Sequence, residues 1–326
     1  MPVLRWGLPR ALCALCLLAA GAPALAAGGD SPPHLQVPGV SARGPLTFVV
    51  YGDTRFTDRD GVANGAARRA LVAKIAGENP AAIVIGGDLI YQGNAPDDYA
   101  TYRSETLDWA RRGIPVYPAL GNHEVQDCDR NAADSPCLEN WWQAFPQLKL
   151  RPWRWYSLSI GAAIRVLVLD SDSPLKAGSE QRVWLERELT GMSPHVRFLL
   201  LVLHYPPVRD PVFPHGRDEA EIEPLLSAQA ESLPFKIVVV GSHVHNYERF
   251  SRAGVAYLVS GGGGAKPVPA FRMSGELSQL TTAVNFHYLR FTLDNDRLTC
   301  TMVRFDASDE TGNPWSEPDR FEVRAR

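Results

Sequence analysis

Five short turns rich in carboxylate, imidazole and amide side chains punctuate this chain in a fixed order. They are Gly52-Asp53-Thr54-Arg55, Gly87-Asp88-Leu89-Ile90-Tyr91, Gly121-Asn122-His123-Glu124, His204-Tyr205-Pro206-Pro207 and His243-Val244-His245-Asn246-Tyr247-Glu248-Arg249. Two aspartates, an asparagine and three histidines from these turns make the oxygen and nitrogen donor set of a two-metal centre. Each member has a plainer alternative. Asp53 fits a helix cap as well as a ligand, and Asp88 alone is equally open. Asn122 beside His123, with nothing apolar between, suits a plain turn poorly. His243-Val244-His245 reads as a strand-like pair with both rings on one side, or as a surface accident. The conjunction of five such turns in order carries the metal reading.

The turns imply the elements that must position them. Four directly follow apolar, β-prone runs: Leu46–Tyr51, Ala81–Gly86, Phe198–Leu203 and Lys236–Val240; the GNHE turn follows a weaker run, Ile114–Leu120. Helical periodicity covers Ala63–Gly77 and Pro96–Arg112 between the first strands, and Gly178–Leu189 and Asp218–Ser232 later, with Val183, Trp184 and Leu185 expected to face inward. Ile164–Leu169 is a further strand. Strands alternating with helices give right-handed β-α-β units and a largely parallel sheet, with ligands at the carboxyl ends of its strands. The tail, Val255–Val259, Phe286–Leu293 and Arg297–Phe305, reads as antiparallel strands, with Asp294-Asn295-Asp296 as a hairpin turn. The expected fold is therefore α/β: two mixed sheets packed as a sandwich, flanked by helices, with the site at strand C-terminal ends. The Gly261–Gly264 run opens no clear helix and is not a dinucleotide fingerprint. It reads as a loop whose backbone passes close to the site.

The N-terminus has the pattern of a secretion signal over residues 1–26. Arg5 and Arg10 precede the apolar Ala11–Ala20, and Ala24-Leu25-Ala26 is an A-x-A cleavage site. The apolar run is too short to span a bilayer, so an exported protein, periplasmic or secreted and without a membrane anchor, is expected. Removing that segment takes away two arginines and leaves 31 Lys and Arg against 36 Asp and Glu, a net charge of −5. No basic patch for nucleic acid stands out. Residues 27–45, with four prolines, read as an irregular leader. The remainder, 46–326, is long enough for one large α/β domain. Cys128 and Cys137 close a short polar loop, for which a disulfide is the favoured reading in an exported chain. Cys300 lies in an alternating strand and reads as a small buried hydrophobe.

These motifs resemble the calcineurin-like metallophosphoesterase superfamily, whose pattern is D-x-H, G-D, G-N-H-[DE], H and G-H-x-H. The resemblance covers about Phe48–Gly264. In detail it is nearest to the purple acid phosphatases, whose second block has a tyrosine three residues after the aspartate, as Asp88 and Tyr91 do. Arg55 departs from the superfamily's metal-binding histidine, and Ser242 from a glycine. The resemblance implies a binuclear phosphomonoesterase with Asp53, Tyr91 and His245 on one metal. Asn122, His204 and His243 would hold the other, with Asp88 as the bridge. Fe(III) plus a divalent ion (Zn, Mn or Fe) is implied if Tyr91 is a ligand; otherwise Tyr91 is an aromatic lining the cleft. His123 would orient phosphate or protonate the leaving oxygen. His215 is a second candidate acid, or a plain loop histidine. Arg55 would hold a phosphate oxygen or form a structural salt bridge, while Glu248 and Arg249 brace their turn. The implied partner is a small phosphate ester. A phosphodiesterase or nucleotide hydrolase on the same centre, and a non-catalytic metal- or phosphate-binding protein, are the competing readings.

Overall fold

A computed structural model describes Met1 and residues 31–40, 45–126, 138–210, 218–269, 275–278 and 284–326. In chain order the strands begin with β1 (His34–Gln36), β2 (Leu46–Tyr51), β3 (Ile83–Ile85), β4 (Val116–Pro118), β5 (Tyr156–Ile160) and β6 (Ile164–Val168). There follow β7 (Phe198–Val202), β8 (Lys236–Gly241), β9 (Tyr247–Arg252), β10 (Val255–Ser260), β11 (Phe286–Asp294), β12 (Arg297–Phe305) and β13 (Trp315–Arg324). The helices are α1 (Gly65–Glu78), α2 (Pro96–Glu105), α3 (Leu107–Arg111), α4 (Asn122–Val125), α5 (Glu139–Ala144), α6 (Glu180–Thr190) and α7 (Ile222–Gln229). All of these elements belong to one unit, Pro32–Arg326.

They form two mixed sheets. One has the order β13-β12-β11-β2-β3-β4, the other β1-β5-β6-β7-β8-β10-β9. Within the first, β2, β3 and β4 run parallel; within the second, β6, β7, β8 and β10 do. The central strands are continuous apolar runs because both their faces are covered. Period two decides which side chain goes where. Val166, Val168, Leu200 and Val202 join Phe48, Val50 and Phe291 in the core between the sheets. Their neighbours Leu167, Leu169, Leu199 and Leu201 pack beneath Trp184, Leu185 and Ile222 of α6 and α7. At about 1.5–3 kcal/mol per buried large apolar side chain, β7, fully buried, and β8, buried from Ile237 on, are major contributors to holding their C-terminal ends in place.

Several boundaries differ from the sequence expectation for local reasons. The helix expected over Ala63–Gly77 is α1, capped by the Asn64 side chain, which accepts from the Ala67 N–H at 2.9 Å. It ends at Asn79, in the left-handed region at φ 48°, rather than at Gly77. The helix expected over Pro96–Arg112 breaks at Thr106, whose hydroxyl donates to the Tyr102 carbonyl at 2.7 Å. Asp218–Ser232 is a 3-10 turn over Asp218–Glu221 followed by the shorter α7. Val183, expected to face inward, is exposed, whereas Trp184 and Leu185 are buried. Val255–Val259 is not part of the antiparallel tail; β10 lies in the other sheet, parallel to β8 and antiparallel to β9. The β11–β12 hairpin turns at Asn295, φ 51°. His34–Gln36, inside the stretch expected to be irregular, pairs with β5. Among the described residues no helix is long and apolar enough to cross a membrane.

Candidate metal centre

All five turns leave the C-terminal ends of parallel strands. Gly52-Asp53 follows β2, Gly87-Asp88 follows β3, and Gly121-Asn122 follows β4; His204 follows β7 and His243 follows β8. The edges of the two sheets thus deliver the donors to one place. The backbone is bent sharply to do so: Asp53 (φ 56°), Arg55 (46°), Asp88 (50°) and His243 (65°) are all left-handed. A non-glycine residue there is strained by about 1–3 kcal/mol, and such strain collects at functional sites. Hydrogen bonds lock the turns to one another, Asp53 N–H to Gly87 O at 3.1 Å and Arg55 N–H to Asp88 O at 3.0 Å. The strand-like geometry expected for His243-Val244-His245 is not observed. The three residues lie between β8 and β9, and both rings still turn towards the centre.

Asp88 stands in the middle. Its Oδ1 accepts the His123 N–H at 3.0 Å and lies 3.3 Å from His204 Nε2. Its Oδ2 faces Arg55 Nη2 at 3.3 Å and His123 Nε2 at 3.8 Å. The His204 Nδ1–H donates to the Gly86 carbonyl at 3.1 Å. That leaves the Nε2 lone pair aimed at Asn122 Oδ1, 3.0 Å away, and at Asp88 Oδ1. His243 Nδ1 is 3.3 Å from the same nitrogen. The second group has the same form. The His245 Nδ1–H donates to Lys266 O at 2.7 Å, so its Nε2 lone pair points at Asp53 Oδ1, 3.5 Å off. Asp53 Oδ1 is buried and accepts no hydrogen bond from the described residues, while its Oδ2 accepts the His243 N–H at 2.7 Å.

Lone pairs therefore face lone pairs at two neighbouring points. A cation between them makes such an arrangement favourable. The imidazoles resist taking that cation as a proton. Burial pushes His204 down, and it brings His243, with help from His204, to about 3 and His245, with help from Arg55, to about 4. Asp53 goes the other way: burial raises it, and the adjoining Asp88 raises it further, so its carboxyl tends to hold a proton until a stronger cation replaces it. For Asp88 burial works upward too, but His204, His123 and Arg55 together hold it below the usual carboxylate range. Ligand atoms of Asp53, Asp88 and His204 all lie within 4.8 Å of one another. The donor set fits metal ions.

The remaining expected residues fall as follows. The Tyr91 ring stacks at a tilt on His123, centroids 5.2 Å apart, with the guanidinium carbons of Arg59 and Arg55 at 5.5 and 6.0 Å. Its hydroxyl makes no hydrogen bond to Asp53 or His245. Arg55 forms the salt bridge to Asp88 given above. Arg249 pairs with Asp319 through two bonds, at 2.7 and 3.0 Å, and the buried Glu248 accepts the Asp210 N–H at 3.2 Å, so this pair braces its turn. Gly261 does run beside the centre: a Cβ there would meet Asp53 Oδ2 at 2.7 Å. His215, Cys128 and Cys137 lie outside the described residues.

Sequence reasoning missed Glu124. This buried carboxylate accepts the N–H groups of Gly121 at 2.7 Å, Asp88 at 3.0 Å and Ile90 at 3.2 Å, and so ties the G-D and G-N turns together. Burial, and then Asp88, push it up to about 8. Its only signal in the sequence is the acid at the fourth place of G-N-H-E. Ser242 was noted only as a departure from glycine. It fills the space above Gly52 and Gly86, at each of which a Cβ would collide with its Oγ.

The family model for calcineurin-like phosphoesterases matches residues 46–247. Three solved structures share the fold at low identity. A purple acid phosphatase from yellow lupin (Lupinus luteus) seeds superposes with a TM-score of 0.66 at 18% identity over 87% of this chain. The chain spans about half, 54%, of that protein's length. A dimetal phosphatase from Danio rerio gives 0.57 at 15% identity, covering 86% of this chain and 99% of its own. GAP50, the anchor in the inner membrane complex of Plasmodium, gives 0.57 at 14%, with 87% and 90% covered. Identities this low establish a common fold; function has to be argued from the site.

Proposed function

From the premise that this chain belongs to the calcineurin-like phosphoesterase family, we propose that it is a two-metal phosphomonoester hydrolase of the acid phosphatase type. The observation that carries this reading is Asp88, placed between two groups of lone pairs that face one another. In the proposal Asn122, His204 and His243 hold one ion and Asp53, Tyr91 and His245 the other, with Asp88 shared. When bound, two such ions neutralise charge developing on phosphate oxygens and make hydroxide available near neutral pH. Tyr91, three residues after Asp88, favours iron with a divalent partner.

The protein's own groups do the rest. The Arg55 guanidinium is fixed at the centre and is suited to a phosphate oxygen. His123 has its Nδ1–H committed to the Tyr91 carbonyl at 2.6 Å, which leaves Nε2 free to carry a proton to the leaving oxygen. His215 is the other candidate acid. The N-terminal pattern of Arg5, Arg10 and Ala24-Leu25-Ala26 supports placing this chemistry outside the cytoplasm.

The test is relative turnover by purified, metal-loaded protein of an aryl phosphate, a bis-aryl phosphate and nucleoside phosphates. We expect the monoester to be turned over fastest and Asp88→Asn to be inactive, because a neutral amide cannot hold two cations together. Faster diester or nucleotide cleavage would move the assignment to those substrates. No hydrolysis at all, with metals bound, would make this a binding protein.

A further inference from the structure

The two groups of donors are unequally furnished. Around His204 Nε2 stand Asn122 Oδ1, Asp88 Oδ1 and His243 Nδ1, all within 3.3 Å. The other group has Asp53 Oδ1 and His245 Nε2, 3.5 Å apart, and beside them, where Tyr91 is the proposed third donor, stands the Arg55 guanidinium, 3.3 Å from Asp88 Oδ2. Arg55 is not a loose surface arginine. Its side chain is only 14% exposed. Its N–H donates to Asp88 O, and its carbonyl accepts from Arg68 Nη1 at 2.8 Å. Arg68 is held in turn by Glu105 through bonds of 2.8 and 2.7 Å.

Charge counting then separates the two positions. With the Tyr91 hydroxyl still protonated and both carboxyls ionised, Asp53 and Asp88 supply two negative charges, and Arg55 cancels one of them. A first divalent ion leaves the buried cluster with one positive charge; a second raises it to three. Like charges a few ångströms apart repel strongly where water is scarce.

Resting on the two-metal reading, we propose that Arg55 makes the centre load unequally with divalent ions. The Asn122–His204–His243 position fills first and tightly. The Asp53–His245 position binds more weakly and exchanges, because an ion there must share Asp88 with the guanidinium or displace it. Activity would then follow the free concentration of the divalent ion across the range of the weak position.

Calorimetric titration of the chelator-stripped full-length protein with Zn²⁺ tests this. The wild type should show two classes of site separated by about tenfold or more, roughly 1.4 kcal/mol or above. Arg55→Gly removes the charge and suits the left-handed backbone at this position. It should tighten the weak class at least about tenfold while leaving the tight class unchanged. Arg55→Lys should keep the gap, and His245→Ala should remove the weak class alone. Two equally tight classes in the wild type, an unchanged gap in Arg55→Gly, or loss of the tight class in His245→Ala would each overturn the inference and leave the two-metal reading standing. A wild type that binds no zinc would overturn both.

Discussion

His123 lies among the donors and yet differs from them. Its Nε2 is 3.8 Å from Asp88 Oδ2, beyond hydrogen-bond length. Its backbone N–H and its Nδ1–H fix the ring in place. His123→Ala should therefore retain both metals and lose about 10²–10⁴-fold in rate, the usual size of an acid–base contribution. The loss should be smaller for an aryl phosphate, whose leaving group needs little protonation. Metal loss, or an equal rate loss for good and poor leaving groups, would refute that role. If His215→Ala shows the leaving-group dependence instead, His215 is the acid. Tyr91 poses a separate question. Fe(III) on a phenolate absorbs visible light, so the purified protein should be coloured and Tyr91→Phe colourless at equal metal content. A colourless wild type holding only zinc or manganese would remove iron and leave the hydrolase reading intact. The candidate ligands were legible because each lies in a short polar turn that comes after an apolar strand. Glu124 was not, because its work is done through three backbone N–H groups that no sequence pattern displays.

At the scale of elements, what was legible follows from burial. β2, β7 and β8 are buried along most or all of their length, so they read as unbroken apolar runs. β13 escaped notice because only alternate residues are half-covered and the rest are charged or exposed, the usual condition of an edge strand. β1 and β9 are also sheet edges, and they were missed too. The break between α2 and α3 depends on a Thr106 side-chain hydrogen bond that competes with helix continuation. The loop after β10 does run beside the site, and what it does there depends on contacts that lie far apart in sequence. Gly261 leaves no room for a side chain against the Val244 carbonyl and Asp53 Oδ2, so the turn carrying His243 and His245 can close onto the aspartate. The glycine run thus belongs to the metal centre as a spacer, and among the described residues it opens no helix. The left-handed backbone at Asp53, Arg55, Asp88 and His243 was equally hidden. Local propensity argues against it at each of these residues, and the surrounding hydrogen bonds impose it.

The whole molecule is held as a sandwich partly by a polar clamp at the end that bears the site. His287, on β11 of one sheet, accepts from the hydroxyl of Ser260, the last residue of β10 in the other, at 3.0 Å. Its Nδ1–H donates to the Asn285 carbonyl at 2.8 Å, and the Tyr247 ring meets it edge-on at 5.4 Å. Tyr247 and Arg249 of β9 then bond Asp319 of β13, so the two sheets are linked a second time. His287 is fully buried, and burial brings its pKa down to about 4; the Asn285 carbonyl works upward and Arg304 further downward. The unfolded chain protonates this imidazole near its ordinary value of about 6.5. Between those two values the unfolded state binds a proton that the native state does not. Stability must then fall as the pH drops through this window, by about 2–3 kcal/mol at roughly pH 4.5. His287→Gln cannot take up that proton. Its unfolding free energy, measured by denaturant titration at matched metal content, should therefore fall less than the wild type's between neutral pH and about pH 4.5, by about that amount. The other site histidines titrate alike in both proteins and cancel in the difference. Parallel pH profiles for the two proteins would show that the clamp carries no proton linkage, and a steeper profile for the variant would reverse its sign.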